Sequence, residues 1–161
     1  PDALERQAPE GLYRFRAGPD LDRYPLTLVS PATDKTITST LGELRTRLAR
    51  LQIHPHAAES RDLSTGDIAR VFNDRGEIHC AVTVNPGVKR GVVSLPRGLW
   101  RRSTMNQSTA NALVPDELTD LGEGACFNDA RVEITRIMTA ELEGQSIAIS
   151  TGAPMSPDRV H

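Results

Sequence analysis

Cysteine is nearly absent. Only Cys80 and Cys126 occur in 161 residues, too few for a disulfide framework and too far apart for a paired metal motif. No cysteine array is present that could hold an iron–sulfur cluster, and no glycine-rich loop of the P-loop or dinucleotide-fold kind occurs. No apolar run approaches the roughly 20 residues that a membrane helix needs. Basic residues number 19 against 21 acidic ones, for a net charge of −2, and the two signs are mixed along the chain. That balance lacks the basic stripe that nucleic-acid binding requires, so neither nucleic acid nor membrane is an expected partner. Lysine is scarce too: only Lys35 and Lys89 interrupt an otherwise all-arginine basic set. The first residues, Pro1 to Arg6, offer no apolar segment for a signal peptide and no initial methionine. The expectation is a processed product or a piece of a longer chain, in a reducing cytoplasmic compartment.

What is present is one domain's worth of short apolar runs separated by turn signals. The hydrophobic fraction of 38% is ordinary for a soluble protein, and the length supports a core without staples. Residues 1–22 are charged and broken by Pro9, Gly11, Gly18 and Pro19, which predicts a linker or extended arm. Within it Tyr13 and Phe15 alternate with Arg14 and Arg16, the pattern of a short edge strand. From Tyr24 the pattern changes. Leu26 to Val29 is a buried strand stopped by Ser30-Pro31, and a polar loop follows through Thr40. Thr40 and Glu43 have the spacing of a capping box for a short helix over 41–47. Leu51-Gln52-Ile53 alternates as a strand, and Pro55 opens a helix that ends near Asp62 in a left-handed conformation.

Asn73-Asp74-Arg75-Gly76 is a hairpin turn between Ile68–Val71 and Ile78–Val84. Val92 to Leu95 is a further strand ended by Pro96, and Arg131 to Met138 is the last clear one; Ser146 to Ser150 adds a candidate. Many short strands with only brief helices between them predict a mainly β chain closed into a small barrel of six or seven strands over about 24–136. The barrel domain is set at 23–140, with 141–161 as a C-terminal tail.

Three stretches in order carry a resemblance. Tyr24-Pro25-Leu26-Thr27-Leu28-Val29-Ser30-Pro31 is the first. Leu51-Gln52-Ile53-His54-Pro55 through Ala58, Leu63, Gly66-Asp67-Ile68 and the Asn73–Gly76 turn is the second. Asn111-Ala112-Leu113-Val114-Pro115 through Asp120, Gly122, Gly124 and Phe127 to Val132 is the third. Together they resemble the C-terminal molybdopterin-dinucleotide-binding domain of molybdenum and tungsten oxidoreductases, whose fold is a double-psi β-barrel similar to that of aspartate decarboxylase. Asp62 stands where that family usually has glycine, and Thr38 and Val114 stand where relatives commonly carry Asn or His and Thr.

The resemblance implies that the chain binds molybdopterin guanine dinucleotide, with molybdenum or tungsten held in the parent enzyme, and that its partners are the remaining domains of that parent. It implies cofactor contacts at Ser30, Pro31, Lys35, Thr36, Thr38 and Ser39 in the first loop. It adds Asn106, Asn111, Asp120 and Asn128 in the second half. The chemistry of those residue types agrees: a dinucleotide is held by neutral hydroxyls and amides on loops of a rigid scaffold. Lys35 would serve as a point charge for phosphate, Thr36 and Ser39 would face the diphosphate, and Asn111 and Asn128 the ring systems. The loop 30–40 and the segment 106–111 are then expected side by side at one end of the barrel.

Several residues have plainer readings. His54 and His56 flank a proline and have no carboxylate or cysteine cluster to complete a metal site. Cys80, between Ile78 and Val82, is a buried inert thiol, whereas Cys126 lies within the third motif. Trp100 is a barrel-wall residue, with stacking on guanine as the alternative. No catalytic residue or metal ligand is expected, and the chain alone is expected to be inactive. The rival function is a non-catalytic double-psi barrel that binds protein, like the substrate-recruiting barrels of AAA-type ATPases. A self-cleaving decarboxylase of the aspartate kind would need a Gly-Ser bond, and no glycine here is followed by serine.

Overall fold

The computed structural model describes residues 21–33, 38–40, 48–116, 118, 124–125 and 129–138. The expected arm strand near Tyr13, the helix over 41–47, the strand at 146–150 and the tail lie outside the described residues.

Six strands follow the apolar alternation: β1 (Leu26–Val29), β2 (Arg50–Ile53), β3 (Ile68–Phe72), β4 (Glu77–Val84), β5 (Val92–Ser94) and β6 (Arg131–Arg136). Alternate side chains of a strand leave on opposite faces. Leu26 and Leu28, Leu51 and Ile53, Ala69 and Val71, Ile78, Cys80 and Val82, Val93, and Val132 and Ile134 therefore turn inward to one core. The strands close in the order β1-β5-β2-β4-β3-β6, back to β1. Closure gives each strand two neighbours and leaves no edge to template pairing with another chain. The result is the mainly β, closed, mixed-direction barrel that the double-psi reading expects.

Two of the pairings are parallel, β1 with β5 and β2 with β4. The first matters for the site, because it delivers the C-terminal ends of β1 and β5 to the same end of the barrel. Their ladder runs on past the strands: Leu95 donates its N–H to the Val29 carbonyl at 3.0 Å, and Arg97 donates to that of Pro31 at 3.1 Å.

Between β2 and β3, helix α1 (Pro55–Glu59) starts on a proline, with His54 Nδ1 accepting the His56 N–H at 3.1 Å. Its Ala57 and Ala58 join the core with Leu63. The chain leaves the helix through Asp62 at φ +51°, as expected. Arg61 anchors this region to β6 by a two-pronged pair with Glu133, at 2.6 and 3.0 Å. No helix among the described residues is long and apolar enough to cross a membrane.

Strand β4 outruns its neighbour. β2 pairs only with Ala81 to Val84, so among the described residues the backbone before Ala81 has no strand on that side. The segment 103–106 fills the gap. Met105 donates its N–H to the His79 carbonyl at 3.0 Å, and Asn106 Oδ1 accepts the His79 N–H at 3.0 Å. Asn106 Nδ2 donates to the Glu77 carbonyl at 3.0 Å. Unpaired backbone groups of a buried strand must find partners, and one amide side chain here supplies two.

A candidate dinucleotide cleft at one end of the barrel

Where β1 and β5 end together, a cleft of about 710 Å³ opens, lined by Val29, Ser30, Pro31, Ala32, Arg97, Ala110, Asn111 and Val114. Three elements build it. The first is the exit of β1, which stops at Ser30 because Pro31 cannot donate to a ladder. The second is the exit of β5, tied to the first by the two hydrogen bonds described above. The third is a 3₁₀ turn, Ala110–Leu113, whose buried Ala110 and Leu113 pack inward and leave Asn111 exposed on the cleft.

The hairpin before β4 sets the position of that turn. Asn73 Nδ2 donates to the Leu113 carbonyl at 2.8 Å and to the Arg131 carbonyl at 3.0 Å, holding the turn against the start of β6. Its Oδ1 meanwhile accepts from Arg75 and Gly76, at 2.9 and 3.3 Å, as an Asx turn. Gly76 is needed beside it, since a Cβ there would lie 2.9 Å from the Ala112 carbonyl oxygen.

The loop after Pro31 is pinned at both ends to the chain that follows β5. Pro31 accepts from Arg97 at the near end. At the far end Trp100 Nε1 donates to the Ser39 carbonyl at 2.7 Å. Gly98, at φ +72°, approaches Thr38 so closely that a Cβ would fall 1.9 Å from its carbonyl oxygen. Thr38 itself is at φ +52°, uncommon for a β-branched residue.

Of the residues singled out in the sequence, Ser30, Pro31 and Asn111 meet at this cleft. Thr38 and Ser39 stand beside the segment 98–100 that leads out of it. Asn106 does not join them: its amide is spent on the open side of β4, so the expected juxtaposition fails for that residue. Lys35, Thr36, Asp120 and Asn128 lie outside the described residues, as does Cys126.

Trp100 is a correction as well. It follows β5 in a loop, is 38% exposed, and carries the Arg102 guanidinium over its ring at 4.9 Å, so it forms no part of the barrel wall. An indole N–H needs an acceptor, and the Ser39 carbonyl at the barrel's rim provides one. Cys80 is buried, and desolvation pushes its thiol up to about 12, so it stays protonated and inert. Arg97, Asn73 and Gly98 carry no sequence signal of a role at the site. Pro96-Arg97-Gly98 reads there simply as a strand terminator.

The cleft's chemistry suits a flat, polar-edged ligand. Its walls are aliphatic at Val29, Pro31, Ala32, Ala110 and Val114, and its polar groups are few. The Ser30 hydroxyl and the Asn111 amide have no side-chain hydrogen bond among the described residues, leaving a donor and acceptor pair for a ring edge. A pterin or purine has faces and an edge of the kind such a lining could take.

Residues 27–131 match the family model described as the molydopterin dinucleotide binding domain. The chain is 32% identical over 121 residues to a putative catalytic chain of dimethyl sulfoxide reductase from Halobacterium salinarum, covering 71% of this chain and 14% of that protein. It is 36% identical over 127 residues to the dimethyl sulfoxide reductase DmsA of Haemophilus influenzae, covering 74% and 16%. The chain thus spans only about one seventh of the length of these relatives. Among solved structures, acetylene hydratase from Pelobacter acetylenicus shares the fold, with a TM-score of 0.60 at 16% identity over 73% of this chain and 19% of that one. The family match covers the three strand-and-loop stretches that build the cleft, from β1 to the start of β6, and the chain belongs to the molybdopterin-dinucleotide-binding domain family.

Proposed function

We propose that this chain forms one wall of a molybdopterin guanine dinucleotide site in a much larger molybdenum or tungsten oxidoreductase. The observation that carries the reading is the convergence of Ser30, Pro31 and Asn111, from two distant stretches of sequence, on one cleft with unused polar groups. When bound, the metal and pterin supply the electron transfer; the protein supplies binding and orientation. In this chain's share, Asn111 hydrogen-bonds the edge of a ring system, Ser30 adds a hydroxyl, and Val29, Pro31 and Val114 exclude water from its faces. Val114 takes the place of a hydroxyl side chain common in relatives, so that wall contributes packing alone. The loop through Thr38 and Ser39 is held ready by its two anchors, which lowers the ordering cost of binding.

Relatives named for dimethyl sulfoxide and trimethylamine-N-oxide reduction suggest an oxygen-atom-accepting reductase as the parent. The chain itself serves as a cofactor clamp with no turnover of its own, and the parent's remaining domains close the other side. The test is Asn111→Ala in the full-length oxidoreductase. Guanine nucleotide released on denaturation, per protein, should fall while the fold stays intact. Losing one buried hydrogen bond costs about 1–3 kcal/mol, roughly tenfold to a hundredfold in affinity. Unchanged nucleotide content would overturn the assignment of this cleft.

A further inference from the structure

Arg97 is the one charged residue among the described residues that line the cleft, and no carboxylate stands with it. Its side chain is exposed and makes no ion pair or hydrogen bond among the described residues. Arg101 and Arg102 follow Trp100 in a short 3₁₀ turn, and neither lines the cleft. Arg102 lies over the Trp100 ring. Lys89 and Arg90 precede β5, at the opposite end of the strand from Arg97. By contrast the Arg97 backbone is tightly held: its N–H donates to Pro31 at 3.1 Å, and Gly98 next to it is locked against Thr38. A free guanidinium on a fixed base, at the rim of an aliphatic cleft with no acid among its described lining residues, is matched to an anion. Its planar fork takes two phosphate oxygens at once, which a lysine ammonium cannot do.

We infer that Arg97 grips a phosphate of the dinucleotide's diphosphate while Asn111 holds a ring edge in the same cleft. The inference rests on the reading of the cleft as the dinucleotide site. It extends that reading by adding a charged ligand from the exit of β5, where only the β1 loop, Asn106 and the third motif had been expected to contribute. Placing the fork beside Pro31 also explains why the loop after β1 is tied to this particular residue: the hydrogen bond sets the distance between the phosphate grip and the Ser30 hydroxyl.

The experiment uses the full-length oxidoreductase in four forms: wild type, Arg97→Gln, Arg97→Lys and Asn111→Ala. Cofactor-free protein is reconstituted with the cofactor, and bound guanine nucleotide is measured over a range of salt concentration. Thermal unfolding of the cofactor-free forms is recorded alongside. Arg97→Gln should bind about tenfold or more weaker at low salt and respond less to added salt than wild type, because an ionic contact is gone. Arg97→Lys should recover part of the loss, and the cofactor-free unfolding temperature should not move. If Arg97→Gln binds as wild type while Asn111→Ala does not, the inference falls and the cleft stands. If both bind as wild type, the cleft reading falls and takes the inference with it. If Arg97→Gln lowers the unfolding temperature of the cofactor-free form along with its binding, the residue pairs within the protein, and the inference is overturned.

Discussion

Asn73 reaches across 40 residues of sequence to donate a hydrogen bond to the Leu113 carbonyl at 2.8 Å. The turn that presents Asn111 is therefore held in place by the hairpin on the far side of β3. The same Nδ2 also donates to Arg131, while Oδ1 closes the turn. Asn73→Asp keeps the acceptor and removes both donors, so the hairpin should survive and the grip on Ala110–Leu113 should not. The expected cost is about 1–3 kcal/mol of stability for the carbonyls left without their donor, and a lower nucleotide content in the full-length enzyme. Wild-type nucleotide content in Asn73→Asp would show that Asn111 holds its position without this anchor.

Asp62 occupies a left-handed conformation, φ +51°, which glycine adopts far more readily. Its carboxylate meets Arg136 at 3.5 Å with the Asp62 side chain 97% exposed, a pairing of little worth. A Cβ in this region costs about 1–2 kcal/mol, less for Asp than for most residues, and glycine gives back about 0.5–1 kcal/mol in chain entropy. Unfolding temperatures should accordingly rank Asp62→Gly at or slightly above wild type and Asp62→Ala below it. An alanine variant as stable as wild type would mean that the backbone relaxes out of the left-handed region.

Glu77 gives the barrel an acid limb. Burial raises the pKa of its carboxyl, but the hydrogen bond and charge of Arg70, at 2.6 Å, and the neighbouring His79 outweigh that and hold it below its ordinary value of 4.5. A carboxylate with a lowered folded pKa binds its proton more weakly than the unfolded chain does. Its stabilising effect is thus present above the ordinary value and is lost as pH falls through the folded one. Glu77→Gln should flatten the loss of stability below about pH 4.5 and lower stability at neutral pH, read by denaturant titration across pH. The group is partly exposed, so the effect is modest, and an unchanged acid limb would remove Glu77 from it.

Much of the fold is legible in the sequence because it is written locally. Leu26 and Leu28, or Ile78, Cys80 and Val82, alternate within a few residues, and the Asn73–Gly76 turn announces its own hairpin. Ser30, Pro31 and Asn111 are legible as motif positions. The role of Asn106 is not, because it depends on strand lengths. β4 starts four residues before its pairing with β2 begins, and nothing within the stretch 101–109 signals that vacancy. Trp100 is hidden for a similar reason, since its indole partner is the backbone of Ser39, 61 residues away. Arg97 carries no local mark either. It becomes a cleft residue only because β1 and β5 run parallel as neighbours and end together, a pairing that sets Thr27 beside Val92.

Gly98 tests whether the loop beyond Pro31 is held ready for its ligand. Its φ of +72° is one that residues with a Cβ seldom adopt, and a Cβ there would sit 1.9 Å from the Thr38 carbonyl oxygen and 2.8 Å from the Ser39 nitrogen. Both obstacles are backbone, so no side chain can swing aside. Gly98→Ala must push the 38–39 segment away or move the exit of β5, and either motion strains the Trp100–Ser39 hydrogen bond. Gly91 is the matched control: its φ is +75°, yet a Cβ there meets nothing within 4 Å. Gly91→Ala should cost only the left-handed strain of about 1–2 kcal/mol. Gly98→Ala should cost more than that and should lower nucleotide content in the full-length enzyme, which Gly91→Ala should leave unchanged. Neither glycine lies within a strand, so the far-ultraviolet circular dichroism of the two variants should match. If both variants lose equal stability and both keep wild-type nucleotide content, the close approach of Gly98 to Thr38 does not serve the site, and the loop beyond Pro31 is no part of the grip.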